Sequence, residues 1–377
     1  MELEEFRSGL DQWLDEHTAD LSPDHGPDLD AEMAHLGKVK RLSYDAGWMR
    51  WGWSERVGGL GGSPLLRGYL GEALTSRGFV EPGLYSMTEV LAPTMIDYAS
   101  PDLAAEMVPL LLRGDETWCQ GFSEPGTGSN LAGLTCKAEP VDTPDGPHWR
   151  VNGQKVWTSL AQYAQRCVLL VRTGTVESAH RGISALFVDM DTPGIAVRPI
   201  ETMHGQPEFS EVFFDDVLVP AGRMLGEIGQ GWAVAMDLLP FERSTALWHR
   251  GAFLHRRLDD LVAQASSSLD RRDLGRVIVD LFALRSRSRS TLHRLDRGER
   301  LGPETSVDKI LLATCEQQVF DLAAQVLAAD IALDDDPVSE RWRTDYLYSR
   351  AATIYGGSAE IQRNIVARRL LDLGADR

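Results

Sequence analysis

Four short stretches of this chain bring together residue types that could do chemistry. In Phe122-Ser123-Glu124-Pro125-Gly126-Thr127-Gly128-Ser129, hydroxyls alternate with glycines that let backbone N–H groups approach a phosphate, a sugar or a ring edge. Plain Pro-Gly turn chemistry explains the same residues. In Lys155-Val156-Trp157-Thr158-Ser159 the indole could stack on a flat cofactor and Ser159 could bond a ring heteroatom. A core tryptophan beside a strand-end serine is the other reading. In Leu239-Pro240-Phe241-Glu242-Arg243-Ser244 a carboxylate has apolar neighbours in sequence, an environment that raises a carboxyl's pKa and makes it a usable base. The alternative is a glutamate favoured by a helix dipole beside a solvated arginine. In Tyr355-Gly356-Gly357-Ser358-Ala359-Glu360 paired glycines precede a helix start, where N–H groups face an anion or a developing oxyanion, or simply cap the helix.

These stretches must be positioned by elements whose texture changes twice. Leu3, Phe6, Leu10, Trp13 and Leu14 recur at helical spacing, and helical patterns follow over 37–46, 65–76 and 101–113 around a glycine-rich loop at 51–63. From Glu116 the pattern is one of short strands. Residues 149–151 and 154–157 flank Asn152-Gly153 and read as a hairpin. Further strands are expected at 167–172, 183–188, 195–200 and 211–217, forming a compact antiparallel sheet or barrel. After Pro220 long helical stretches at 230–264, 270–297, 304–332 and 338–373 predict an antiparallel four-helix bundle. The expectation is an α+β chain: an N-terminal helical domain over 1–115, a central β-barrel or sandwich over 116–224 and a bundle over 225–377. The arginines between 285 and 300 read as a solvated helix face or subunit contact.

Composition limits the partners. The 377 residues carry 38 Lys+Arg against 56 Asp+Glu, net −18, which argues against nucleic acid or an anionic membrane surface. Cys119, Cys136, Cys167 and Cys315 have neither disulfide nor zinc spacing and suit a reducing compartment. The acidic start Met1-Glu2-Leu3-Glu4-Glu5 and the lack of a long apolar run predict a soluble cytoplasmic protein.

Taken in order, the four clusters resemble the acyl-CoA dehydrogenase family, most specifically over 122–134, 152–159, 215–231 and 354–369. The resemblance implies FAD between the β domain and the bundle, with an acyl-CoA thioester against the ring. Phe122, Ser123, Gly128, Ser129, Trp157, Thr158 and Ser159 would then contact flavin, with Ser358 and Glu360 near the dinucleotide and Ser129, Phe241 and Arg243 near substrate. The implied reaction is α,β-dehydrogenation to a trans-2-enoyl thioester, with an electron-transfer flavoprotein as electron acceptor. Many members carry the base in a Tyr-Glu-Gly run; Gly356 stands there in this chain. Glu242-Arg243 matches a second family arrangement with the base on the first bundle helix, which leaves the Gly356 N–H as an oxyanion donor.

Arg271–Arg276 and Ala324–Ala329 lack the family's segments that grip a neighbouring subunit's FAD. That combination is similar to subunits of actinobacterial heterotetrameric enzymes acting on steroid side-chain thioesters, and implies a homologous partner subunit, with a homo-oligomer as the alternative. Two other readings stay open: a non-catalytic FAD-binding partner subunit, and a flavin oxidase or carrier-bound acyl dehydrogenase on the same fold.

Overall fold

The computed structural model describes residues 1–374 apart from 27 and 266. Five long helices form the first region: α1 (Leu3–Glu16), α2 (Leu29–Asp45), α3 (Pro64–Ser76), α4 (Met87–Tyr98) and α5 (Pro101–Arg113). Helix α1 buries Phe6, Leu10 and Leu14, one face of a 3.6-residue period. Sequence punctuation sets the ends. Asp28 caps α2 by accepting from the Ala31 N–H at 2.9 Å, and Ser100 with Pro101 starts α5, which stops at Gly114 in the left-handed region (φ 79°). Helix α2 begins eight residues earlier than the apolar spacing predicts. Helix α4 is absent from that reading because it is apolar nearly all round and contains Pro93, so no amphipathic period marks it.

The central region is an eight-stranded sheet, β1 (Trp118–Gly121), β2 (Lys137–Thr143), β3 (Gly146–Ser159), β4 (Arg166–Arg172), β5 (Ile183–Asp189), β6 (Ile195–Ile200), β7 (Phe209–Pro220) and β8 (Met224–Leu225). The order is β6-β7-β3-β2-β4-β5-β8, with β1 beside β4. Pairing is antiparallel except that β1 runs parallel to β4 and β2 touches β4 in parallel at Lys137–Arg172. The run Cys167–Val171 is buried throughout because β4 is covered on both faces. Val168 and Leu170 face the helical region, whereas Cys167, Leu169 and Val171 belong to the sheet's own interior.

The expected Asn152-Gly153 hairpin is not there. β3 runs straight through it, with a register shift against β7 at Val151–Gly153. Gly153 has φ +148° and lies against Cys136, so a side chain would collide, while Asn152 Nδ2 donates to Asp216 Oδ1 (3.0 Å) and its Oδ1 accepts from Asp216 N (2.9 Å). The dipeptide makes a bulge. The turn lies upstream, where Thr143-Pro144-Asp145-Gly146 joins β2 to β3 with ordinary Pro-Asp-Gly chemistry.

The last region contains α6 (Gly231–Phe241), a π-helical turn (Glu242–Ala246), α7 (Leu247–Ala265), α8 (Arg271–Asp296), α9 (Thr305–Leu333), α10 (Pro337–Ser349) and α11 (Ala359–Arg369). The fourth expected helix, 338–373, is broken. α10 ends at Ser349 and passes into a 3-10 turn (Arg350–Thr353); Gly356 and Gly357, at φ +63° and +90°, then separate it from the helix that restarts at the Ser358 cap. Three arginines of the C-terminal half of α8 are paired within the molecule: Arg287 to Asp308 at 2.6 Å, Arg294 to Glu299 at 2.7 Å, and Arg285 to Glu72. Among the described residues no helix is long and apolar enough to cross a membrane.

Candidate active site

The loop leaving β1 is anchored by a buried carboxylate. Glu124 accepts from Lys155 Nζ (2.8 Å), Thr135 N (2.7 Å), Thr135 Oγ1 (2.8 Å) and Cys136 N (2.8 Å). Lys155 Nζ donates also to the Phe122 carbonyl (3.2 Å), and Val156 N donates to the Ser123 carbonyl (2.9 Å). Burial pushes the Glu124 carboxyl up, but Lys155 and the Thr135 and Cys136 amides outweigh burial and hold it below the ordinary range. Beyond this anchor the loop faces open space. A Cβ on Gly126 or Gly128 would meet nothing within 4 Å, and Ser129 is exposed.

Trp157 is the exposed counterpart of that anchor on β3. The strand shifts register against β7 between Lys155 and Thr158, and Trp157 takes φ +59°, a costly conformation for an aromatic residue. The indole stands 59% exposed and packs edge-on against Phe209, centroids 6.2 Å apart. Beside it, Thr158 is 1% exposed with an unpartnered hydroxyl, and Ser159 is half-buried. An uncovered ring, an orphaned hydroxyl and a glycine loop with free space fit a flat, polar-edged cofactor.

A second cluster joins the π-helical turn to the break before α11. An ideal Cβ on Gly356 would collide with Glu242 Oε1 and lie 3.3 Å from Lys309 Cε. Arg243, 8% exposed, donates through Nη2 to the Gly356 carbonyl at 3.0 Å. Gln362, fully buried, donates to the carbonyls of Gly356 (3.2 Å) and Gly357 (3.3 Å). The Gly356 N–H makes no hydrogen bond among the described residues. Ser358 is engaged as helix cap, accepting from Ile361 N at 3.4 Å, and Glu360 is exposed. Phe241 is half-buried at the end of α6.

The surroundings of Glu242 are charged rather than the apolar ones expected from its sequence neighbours. Arg243 is adjacent, and Lys309 of α9 lies across Gly356. Burial lowers the pKa of both cations, that of Lys309 to about 8, with Glu242 acting in the opposite sense. Lys309 and the Glu124–Lys155 anchor are features of the candidate site that the sequence motifs do not mark. Of these only Lys309 leaves a trace in periodicity, without a motif: with Glu316 it shares the core stripe of Leu312, Ala313, Val319 and Phe320, where a charge stands out.

This fold coincides with that of a known family. The acyl-CoA dehydrogenase middle domain matches residues 119–217 and the acyl-CoA dehydrogenase C-terminal domain matches residues 229–371. The chain belongs to the acyl-CoA dehydrogenase family, whose members are FAD-dependent oxidoreductases. The acyl-CoA dehydrogenase IpdE1 of Mycobacterium tuberculosis is 37% identical over 384 residues, covering 99% of this chain and 98% of that protein. Among solved structures, the Tcur3481-Tcur3483 steroid ACAD superposes with a TM-score of 0.81 at 26% identity, covering 99% of this chain and 96% of that one. The ChsE4-ChsE5 complex of Mycobacterium tuberculosis gives 0.80 at 26%, covering 100% of both.

Proposed function

We propose that this chain is the base-bearing subunit of an FAD-dependent acyl-CoA dehydrogenase, with Glu242 taking the α-proton of a thioester. The observation that carries the reading is the collision at position 356: the space a side chain would occupy there is filled by the Glu242 carboxylate. The base and the missing side chain are complementary. A partner subunit without a catalytic role would have no need to keep a carboxylate in that space.

FAD would be held by Phe122, Ser123, Gly128, Ser129, Trp157, Thr158 and Ser159, with Ser358 and Glu360 toward its dinucleotide end. The chemistry supplied by bound FAD is acceptance of the β-hydrogen as hydride. The chain's own part is to orient the thioester along Ser129, Phe241 and Arg243, exclude water, and receive the proton on the Glu242 carboxylate. The free Gly356 N–H would donate to the thioester carbonyl as negative charge develops on its oxygen. Arg243 and Gln362 hold the Gly356 carbonyl, which belongs to the next peptide along, and so restrain the turn that presents that N–H.

A homologous partner subunit would complete the FAD site, with an electron-transfer flavoprotein as acceptor. Support comes from the absent gripping segments, from the likeness to proteins solved as Tcur3481-Tcur3483 and ChsE4-ChsE5, and from an uncovered apolar strip on α8. There Ile278, Val279 and Phe282 are 49%, 64% and 70% exposed. The likeness to a steroid enzyme favours a bulky, ring-bearing acyl group.

Glu242→Gln in the FAD-loaded protein tests the base. Dehydrogenation of a steroid side-chain acyl-CoA should fall by about 10²–10⁴-fold while flavin absorbance is retained; full activity in that variant overturns the assignment. Stoichiometric FAD in the chain expressed alone would overturn the shared-site reading.

A further inference from the structure

The mechanism above leaves one buried cation at the site without a task. Lys309 is 4% exposed, projects from the second turn of α9, and donates to the Ala352 carbonyl at 2.9 Å. Its Nζ lies 3.7 Å from the centroid of the Tyr355 ring. No carboxylate among the described residues forms an ion pair with it, unlike Lys155, which meets Glu124 at 2.8 Å. A buried ammonium is costly unless paired. Its Cε and the Glu242 carboxylate flank the same point, the position of a Cβ on Gly356.

We propose, building on the assignment of Glu242 as base, that Lys309 is a positioning residue whose ammonium, across Gly356, keeps Glu242 ionised and sets the acid limb of the reaction. The charged groups around it decide the sign. From the π-helical turn come Glu242 and Arg243, from α7 Arg250, from α9 itself Glu316, and from the segment before α11 Tyr355. Arg250 and Glu316 satisfy one another through two bonds of 3.0 and 2.8 Å, and Tyr355 donates its hydroxyl to Glu316 at 3.3 Å. Arg243 is committed to the Gly356 carbonyl at 3.0 Å and does not deprotonate. Lys309 is therefore the cation beside Glu242 whose charge can change, and burial brings its pKa down to about 8, leaving it charged at neutral pH. A neighbouring cation favours the ionised form of a carboxylate. Without it, protonated Glu242 would persist to higher pH and the acid limb would move up.

The test uses Lys309→Met and Lys309→Gln in the FAD-loaded protein as it assembles, the glutamine retaining a donor for the Ala352 carbonyl. Melting temperature and FAD content establish that each variant is folded. The kcat/KM–pH profile with a steroid side-chain acyl-CoA should shift its acid limb upward by about one pH unit in either neutral variant, and Lys309→Arg should keep the wild-type limb. A second readout needs no turnover: the infrared band of the protonated Glu242 carboxyl, identified by its loss in Glu242→Gln, should move by the same amount. A limb and band unmoved to within about 0.2 unit in the neutral variants overturn the role of Lys309. Activity retained in Glu242→Gln overturns instead the assignment of the base. An unmoved limb with Glu242→Gln inactive removes only Lys309.

Discussion

Two glutamate–lysine pairs lie on the two sides of the proposed site, and they are built oppositely. Glu124 and Lys155 touch at 2.8 Å, and the carboxylate accepts three further hydrogen bonds from Thr135 and Cys136. Glu242 and Lys309 face each other across Gly356 with no direct bond, and Lys309 has only a carbonyl and a ring face. Saturation makes the first pair a fixture that holds the 122–130 loop on β3. The second is left unsaturated, which suits the proposed role of Glu242 as a base that accepts a proton. Exposure does not separate the two lysines, since both are buried; the number of satisfied lone pairs on their partners does.

The largest expected effect breaks the saturated pair. Lys155→Met leaves Glu124 buried without its cation and should destabilise by about 3–5 kcal/mol, read as a lower denaturant midpoint with unchanged slope. Adding Glu124→Gln should recover part of that loss, because it removes the buried unpaired charge while its one amide oxygen still accepts from either the Thr135 or the Cys136 N–H. A single variant as stable as wild type would remove the distinction between the pairs. A smaller effect is expected from Gly356→Ala, which forces a Cβ onto the Glu242 carboxylate at φ +63°. We expect a stability loss of about 1–2 kcal/mol and a turnover loss of about 100-fold, since displacing a base by an ångström has that scale of consequence. Wild-type turnover in this variant would mean that the carboxylate does not need the space.

How far the sequence discloses these features depends on the kind of signal each leaves. The α, β, α order is legible because apolar periodicity switches from helical to strand and back, and the strand at Ile195–Ile200 matches its expected bounds. The proposal of Glu242 as base comes from the resemblance to a family arrangement, and that of Gly356 from a glycine where the resemblance would place a base. The Asn152-Gly153 bulge is misread because a positive-φ glycine serves a bulge as well as a turn, and what decides is Asp216, sixty-four residues away. Helix α4 is hidden by its uniform apolarity. Glu124 and Lys309 carry no motif at all. Their roles follow from partners on other elements, and only tertiary structure shows that one carboxylate has all its donors and one ammonium has no carboxylate.

The smallest expected effect has the opposite sign to the first and sharpens the comparison most. The pKa of Lys309 is lowered from 10.5 to about 8, so the fold disfavours its charged form. Below pH 8 both folded and unfolded chains hold that proton and the full cost is present. Between about 8 and 10.5 the unfolded chain holds more protons than the folded one, so the stability contributed by this group rises with pH and levels off above 10.5. Lys309→Met should therefore be as stable as wild type or more so at pH 7, by up to about 2 kcal/mol, and the gap should close as pH rises toward 10. Parallel denaturant titrations at several pH values measure the difference directly. If Lys309→Met instead loses stability at pH 7 as Lys155→Met does, Lys309 is a paired structural cation and the contrast between the two glutamate–lysine pairs collapses. If it gains stability while the acid limb of catalysis moves up, the same lysine costs folding what it contributes to keeping Glu242 ionised, a trade expected of a group retained for the reaction.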